Sequence, residues 1–205
     1  MLPSPAWKMR RFGQKWYPGE TISIGIGQGY NSYTPLQLAV AIATIANDGV
    51  VPRPRVVKYI EDSRTHERLP VELGPARTVD LKPEHLAAVK AALVGVTKEG
   101  TGAIAFQGAG YTSAGKTGTA QVIGIKQGEK YVEAEVAERF RDHSLYVAYG
   151  PAEHPTIALA VVVENAGFGS RAAAPLARIV LDYYLLGKLP APTAPEKVTG
   201  HESGH

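Results

Sequence analysis

The spacing of apolar residues predicts a helix after residue 33. Thr34 is suited to cap the helix, Pro35 to occupy its first position, and Gln37 to complete a capping box. The apolar residues that follow recur at the three- and four-residue intervals of one helix face: Leu38, Ala41, Ile42 and Ile45. Gly49 then suits the left-handed position beyond the end. The pattern predicts an amphipathic helix with one face in a core.

Two further segments have helical spacing. One begins near Pro83 and is followed by Gly100. Its predicted apolar face consists of Leu86, Val89, Leu93 and Val96. The other spans residues 172–186, with Gly187 as its stop. The residues predicted to face inward there are Leu176, Ile179, Val180, Tyr183 and Leu186.

The β-branched and alternating segments predict strands. Residues 111–125 are rich in Thr, Gly, Val and Ile and predict one strand. Residues 143–149 and 156–164 predict an antiparallel pair, because only a short linker separates them. Short strands and loops are expected over residues 50–81, and irregular structure over residues 1–20. The order of helix, helix, three strands and helix predicts an α+β fold, an antiparallel sheet flanked by helices.

Composition and charge exclude several classes of site. The 205 residues are 44% hydrophobic and carry a net charge of +3, dispersed along the chain, so no nucleic-acid partner is expected. The chain has no cysteine, which excludes disulfides, thiolate metal sites and a cysteine nucleophile. Its six histidines lack the spacing of metal ligands, so no metal or cofactor is expected. Apolar runs are far shorter than the roughly 20 residues of a membrane helix.

The segment that carries candidate chemistry is residues 110–120, where the first of three motifs is a phosphate-binding loop. Gly110, Gly115, Lys116 and Thr117 fit its spacing. Such a loop needs a helix directly after the lysine and threonine. The next residues contain glycines and β-branched side chains, which favour a strand. A nucleotide-binding domain therefore stays open as an alternative, and a helix starting at Thr117 would be its signature.

The second motif is S-x-x-K, formed by Ser113 and Lys116. A serine nucleophile assisted by this lysine requires both side chains on one face, as in a helical turn. On a strand, residues three apart point to opposite faces. We therefore interpret Ser113 as an ordinary strand residue.

The third motif is K-T-G, at Lys116, Thr117 and Gly118, followed by Thr119. On a strand, the lysine and glycine share one face and the two threonines share the other. The lysine offers a positive charge for a carboxylate, and the strand offers backbone N–H groups for an oxyanion. The missing side chain at Gly118 would let an extended ligand lie along the strand edge.

Around K-T-G, the chain resembles the C-terminal part of class B penicillin-binding proteins, the elongation-type D,D-transpeptidases of the penicillin-binding protein 2 family. The matching stretches follow the family's order and are residues 16–22, 25–30, 34–38, 100–102, 114–122, 137–143 and 163–167. The stretch at residues 137–143, Ala-Glu-Arg-Phe-Arg-Asp-His, indicates the elongation-type subgroup.

The resemblance implies a penicillin-binding (β-lactamase-like) fold with a five-stranded antiparallel sheet. It implies that a serine attacks the D-Ala-D-Ala end of a peptidoglycan stem peptide and that β-lactams compete for the site. Lys116 and Thr117 would bind the terminal carboxylate, Gly118 would lie beside the ligand, and the N–H of Thr119 would form half of the oxyanion hole. It further implies membrane proteins of the elongation complex as partners and the periplasmic side of a bacterial inner membrane as the location.

The sequence departs from the family's pattern at the nucleophile. The family's S-x-x-K and S-x-N motifs lie before every matched stretch, and S-x-N does not occur in this chain. We therefore expect residues 1–187 to be the C-terminal portion of a transpeptidase domain that alone is inactive, and residues 188–205 to be a disordered tail. The family's membrane anchor is also missing from the matched residues. A non-catalytic module that binds peptidoglycan or a partner is the other alternative.

Overall fold

The computed structural model describes residues 2–124, 132 and 135–189 of the chain. Its helices are α1 (Pro5–Phe12), α2 (Pro18–Gly25), α3 (Pro35–Ala46), α4 (Pro83–Lys98), α5 (Ala103–Phe106) and α6 (Ala173–Leu186). Its strands are β1 (Val50–Val51), β2 (Tyr59–Glu61), β3 (Arg68–Pro70), β4 (Arg77–Thr78), β5 (Ala114–Ala120), β6 (His143–Gly150) and β7 (Ile157–Val163). A 3-10 turn at Glu138–Phe140 precedes β6.

The central sheet is antiparallel, in the order β5-β6-β7. In its register Lys116 lies opposite Val147, and Leu145 lies opposite Val162. The predicted hairpin of residues 143–149 and 156–164 is therefore confirmed. The strand expected over residues 111–125 is shorter in the structure, where β5 begins at Ala114 and ends at Ala120. Residue 125, the last of the predicted range, lies outside the described part of the chain.

Helices cover both faces of this sheet. Side chains alternate along β6, so neighbouring residues of this strand pack against different helices. Tyr146 and Ala148 pack against α6, together with the aromatic ring of Phe106. Tyr149 points to the opposite face, where it packs against Ile42 of α3. The predicted α+β architecture, an antiparallel sheet flanked by helices, is confirmed.

The start of α3 has the predicted capping box. The backbone N–H of Gln37 donates to Thr34 Oγ1 at 3.2 Å, and the N–H of Thr34 donates to Gln37 Oε1 at 2.9 Å. Of the predicted apolar face, Ile42 is buried, whereas Ala41 is exposed. Gly49 adopts the left-handed conformation, with φ +89°, and a side chain there would lie 2.6 Å from the carbonyl oxygen of Val79.

The predicted inward face of α6 is wrong. Its five residues are all more than one third exposed: Leu176, Ile179, Val180, Tyr183 and Leu186. The residues that pack on the sheet are Ala173, Ala174, Ala177 and Leu181. Both faces of α6 are apolar, so periodicity alone could not choose between them. The face of small residues packs inward because alanines allow the helix to approach β6 and β7 closely.

The irregular structure expected over residues 1–20 is also wrong, because α1 and the start of α2 lie there. Ser4 caps α1 by accepting the N–H of Trp7 at 3.2 Å. Pro18 begins α2, and the N–H of Tyr17 donates to Glu20 Oε2 at 2.8 Å. Proline at the first helical position, which suggested irregularity in the sequence, is here a helix-start signal.

Residues 50–81 form short strands, as predicted, in two small antiparallel pairs, β1 with β4 and β2 with β3. The expected disordered tail lies outside the described residues, apart from residues 188 and 189. None of the helices in the described part of the chain is both long and apolar enough to span a membrane.

Candidate functional site

Strand β5 presents one free edge. It pairs with β6 on one side, and in the described residues no strand pairs with its other side. Three side chains donate to carbonyl oxygens on that other edge. Thr97 Oγ1 donates to the carbonyl of Ser113 at 2.7 Å, and Lys116 Nζ donates to that of Thr117 at 2.8 Å. Gln28 Nε2 donates to the carbonyl of Thr119 at 2.6 Å. Because N–H and C=O of one residue point to the same side of an antiparallel strand, the N–H groups of Thr117 and Thr119 face this edge too.

The four predicted site residues lie together on this strand. Lys116 is exposed, and Thr117, Gly118 and Thr119 are half-buried. They line a cleft of about 350 Å³. The other residues that line it are Ile26, Thr101, Phe168, Gly169 and Ser170. The cleft thus collects an ammonium group, hydroxyl groups and edge N–H groups, which are the donors that a carboxylate accepts.

Thr101 meets the K-T-G strand directly. Its Oγ1 lies 2.8 Å from Thr117 Oγ1, a hydrogen bond in which either hydroxyl is able to donate. Thr101 lies in the turn after α4, between Gly100 and Gly102. A side chain at Gly100 would lie 2.8 Å from Val96 Cα, so the turn has no room for one.

The loop of residues 168–170 packs against the backbone of Gly118. A side chain at Gly169 would lie 2.5 Å from the carbonyl oxygen of Gly118 and 2.4 Å from that of Leu145. Ser144 holds the loop in place, since its Oγ donates to the carbonyl of Phe168 at 3.1 Å and accepts the N–H of Ala173 at 3.0 Å. A close approach to this strand by a ligand was predicted from the sequence; the close approach in this structure is that of the Gly169 backbone to Gly118.

Gln28 binds the free edge just beyond the K-T-G motif. Its Nε2 donates to the carbonyl of Thr119, and its Oε1 accepts the N–H of Gln121 at 3.3 Å. The side-chain amide therefore takes the place of a partner strand at this point. It lies between Gly27 and Gly29, both in the left-handed conformation, with φ +81° and +68°.

Ser113 does not share a face with Lys116 at the site. Ser113 precedes β5 and is buried, and its Oγ has no hydrogen-bond partner among the described residues. Lys116 is exposed at the opposite face, as residues three apart on an extended chain must be. Thr117 lies within β5, where a phosphate-binding loop would require the first turn of a helix.

His143 lies at the start of β6. The N–H of Asn165 donates to His143 Nδ1 at 3.0 Å, which ties this histidine to the turn after β7. No group of three or more His, Asp or Glu residues in the described part of the chain is arranged to hold a metal ion.

Several cleft residues were not predicted from the sequence. Thr101 lies 16 positions before its partner Thr117, and nothing in its local pattern indicates the contact. Phe168 and Gly169 lie in the loop after β7, in the sequence Gly-Phe-Gly at residues 167–169. The one available signal was their place in short glycine-rich stretches, which often mark close backbone packing.

Comparisons of this chain with family models, curated proteins and solved structures all point to the same family. The family model described as "Penicillin binding protein transpeptidase domain" matches residues 7–182. The peptidoglycan D,D-transpeptidase MrdA of Haemophilus influenzae is 43% identical over 194 residues, which is 92% of this chain and 29% of that protein.

Two solved structures resemble the fold. Pseudomonas aeruginosa PBP2, in complex with WCK 5153, has a TM-score of 0.74 and 36% identity, over 95% of this chain and 41% of that one. PBP2 of Helicobacter pylori, in complex with MreC, has a TM-score of 0.70 and 28% identity, over 91% of this chain and 31% of that one. The chain spans under a third of the length of the curated relatives it matches, such as the MrdA proteins of Haemophilus influenzae and Escherichia coli. The matched residues, the fold and the place of K-T-G on an edge strand together show that the chain belongs to the family of penicillin-binding protein transpeptidase domains.

Proposed function

We propose that this chain forms the carboxylate-binding side of the active site of a peptidoglycan D,D-transpeptidase. Lys116, Thr117, Gly118 and Thr119 bind the D-Ala-D-Ala end of a stem peptide, or a β-lactam in its place. The observation that carries the proposal is the free edge of β5, which brings an ammonium, a threonine hydroxyl and two edge N–H groups into one cleft.

The chemistry of each group suits the proposed role. The Lys116 ammonium attracts the terminal carboxylate, and the Thr117 hydroxyl donates a hydrogen bond to it. Gly118 has no side chain to hold an extended ligand away from the strand. The edge N–H of Thr119 is available to stabilise the oxyanion that develops when a serine attacks the penultimate carbonyl. That attack forms an acyl-serine ester and releases the terminal D-Ala, and an acceptor amine then displaces the serine.

We propose that the nucleophilic serine does not lie within residues 1–187. Ser113 is the one serine followed by lysine at the third position, and its buried Oγ points away from Lys116. In the proposal, residues 1–187 are the later portion of the transpeptidase domain, and the serine motif belongs to another portion. The chain alone is then a binding surface without acylation activity.

Carboxylate recognition is tested by titrating the 205-residue chain with N-acetyl-D-Ala-D-Ala and with its C-terminal amide. The acid should bind more tightly than the amide. Lys116→Met should weaken binding of the acid about fivefold, the value of roughly 1 kcal/mol for an exposed ion pair. Lys58→Met, at an exposed position just before β2 and outside the cleft, is the matched control. Equal affinity of the acid and the amide would contradict the proposal.

The absence of a nucleophile is tested with a fluorescent penicillin and mass spectrometry. The chain should acquire no covalent label. A label that disappears in Ser113→Ala would show that this serine is the nucleophile, and it would overturn the assignment of the chain as a binding side only.

The family relationship supports further proposals about the longer protein. We propose that it acts at the periplasmic side of a bacterial inner membrane, together with membrane proteins of the elongation complex. The complex of the Helicobacter pylori relative with MreC supports an assembly of this kind. Co-purification of the full-length protein with its membrane partners would test it.

A further inference from the structure

We propose that Thr101 is a positioning residue that directs the hydroxyl of Thr117 towards the bound carboxylate. The proposal rests on the proposed function and adds a residue outside the K-T-G motif. Its central observation is the 2.8 Å hydrogen bond between Thr101 Oγ1 and Thr117 Oγ1. Both residues line the cleft that contains Lys116.

The turn that carries Thr101 is fixed by its neighbours. The N–H of Gly102 donates to the carbonyl of Val96 at 2.9 Å, which ties the turn to the last part of α4. A side chain at Gly102 would lie 3.2 Å from that carbonyl oxygen and 3.3 Å from Tyr146 Oη, so the backbone is tightly packed on both sides. Tyr146 is fully buried in the centre of the sheet. The backbone that carries Thr101 is therefore held in place by the core, and the exposed side chain reaches Thr117 from a fixed position.

The direction of the hydrogen bond follows from counting hydrogens. The two hydroxyls have two hydrogens, and their mutual bond uses one of them. An ionised carboxylate only accepts hydrogen bonds, so Thr117 must donate its own hydrogen to the ligand. Thr101 must then donate to Thr117. A hydroxyl that already accepts a hydrogen bond is a stronger donor, so Thr101 strengthens the contact with the carboxylate.

The test is a double-substitution cycle in the 205-residue chain, with the affinity for N-acetyl-D-Ala-D-Ala as the readout. Thr101→Val should weaken binding about two- to tenfold, the range for one hydrogen bond. Thr101→Ser keeps the hydroxyl and should restore most of the affinity. Thr101→Val combined with Thr117→Val should bind no more weakly than Thr117→Val alone, because Thr101 acts through Thr117.

The C-terminal amide of the ligand and a remote substitution provide the controls. Affinity for the amide should change less in Thr101→Val than affinity for the acid, because the neutral carbonyl of the amide accepts a weaker hydrogen bond from Thr117 than a carboxylate does. Thr78→Val, at an exposed position of β4, should leave both affinities unchanged. If Thr101→Val fails to fold by circular dichroism, Thr101→Ala removes the same hydroxyl without the added methyl group.

Three results would overturn the inference. Unchanged binding by folded Thr101→Val would show that the hydroxyl pair is structural. Independent, additive losses in the double variant would show that Thr101 acts without Thr117. If the unaltered chain binds neither ligand, the proposed function fails and this inference fails with it. The first two results would overturn the inference alone.

Discussion

The N-terminal segment of α1 and α2 and the sheet with its helices are stabilised in different ways. In the sheet, side chains such as Tyr146 and Leu181 are completely buried among apolar neighbours. In α1 the one buried residue is Lys8, and α2 has none. The sheet is a hydrophobic core, whereas the N-terminal segment depends on polar and ring contacts.

Lys8 is at the centre of the N-terminal segment. Its ammonium forms an ion pair with Glu20 and lies 4.5 Å from the centre of the Tyr17 ring. Burial lowers the pKa of Lys8, but the hydrogen bond and charge of Glu20, together with Tyr30 and Tyr17, raise it, and the net change in this pKa is upward. The hydrogen bond from Lys8 lowers the pKa of Glu20 below its ordinary value, and the N–H of Tyr17 lowers it further.

The two regions contribute different parts of the site. The sheet supplies the K-T-G strand, and the N-terminal segment leads into the turn that carries Gln28 and to the cleft residue Ile26. Neither α1 nor α2 packs extensively on the sheet or its helices. Damage to the segment should therefore loosen one end of the free edge of β5 and leave the sheet folded.

The largest effect is expected in the sheet, from Gly115→Ala. The new side chain would lie 2.4 Å from Tyr146 Oη and 2.8 Å from the carbonyl of Val147, so the core must shift. We expect a loss of about 1–3 kcal/mol of unfolding free energy, measured by far-ultraviolet circular dichroism. Gly19→Ala, where nothing lies within 4 Å of the added carbon, is the control in the other region. Equal stability of the two variants would contradict the packing described for Tyr146.

The next effect is expected in the N-terminal segment, from Glu20→Gln. Both tryptophans of the chain, Trp7 and Trp16, lie in this segment, so their fluorescence reports on it selectively. The substitution leaves the Lys8 ammonium without its carboxylate partner and should lower the midpoint of the fluorescence transition. The circular dichroism transition of the sheet should move little. Glu72→Gln is the exposed control, and a joint shift of both transitions would show that the regions unfold as one unit.

A smaller effect is expected from acid. Because the pKa of Glu20 is lowered in the folded chain, its stabilising contribution is complete above the ordinary value of 4.5 and is lost as pH falls through the folded value. The tryptophan transition should therefore move to lower temperature below about pH 4.5. In Glu20→Gln this acid dependence should be reduced, and an unchanged dependence would assign it to other carboxylates.

The smallest effect is expected from Gln28→Ala, which removes the link between the regions. Hydrogen exchange at the N–H of Gln121 should become about two- to tenfold faster, as expected for the loss of one hydrogen bond. Global stability should change little. Gln14→Ala, at an exposed position, should leave this exchange rate unchanged. No acceleration in Gln28→Ala would mean that the side chain does not hold the strand edge.

The sequence was sufficient where local chemistry decides the structure. The capping box of Thr34 and Gln37 starts α3, and β-branched residues place K-T-G on a strand. It was insufficient where tertiary packing decides. Both faces of α6 are apolar, and only the sheet shows that Ala177 points inward. The pairing of Thr101 with Thr117 likewise depends on where α4 ends relative to β5, which no local pattern encodes.

Carboxylate binding at the free edge of β5 is tested most directly by mapping the ligand with amide chemical shifts in the 205-residue chain. On addition of N-acetyl-D-Ala-D-Ala, the largest shifts should occur at the edge N–H groups of Thr117 and Thr119. The C-terminal amide of the ligand should produce much smaller shifts there. Shifts that avoid β5, or that are equal for acid and amide, would contradict a carboxylate-binding edge at K-T-G.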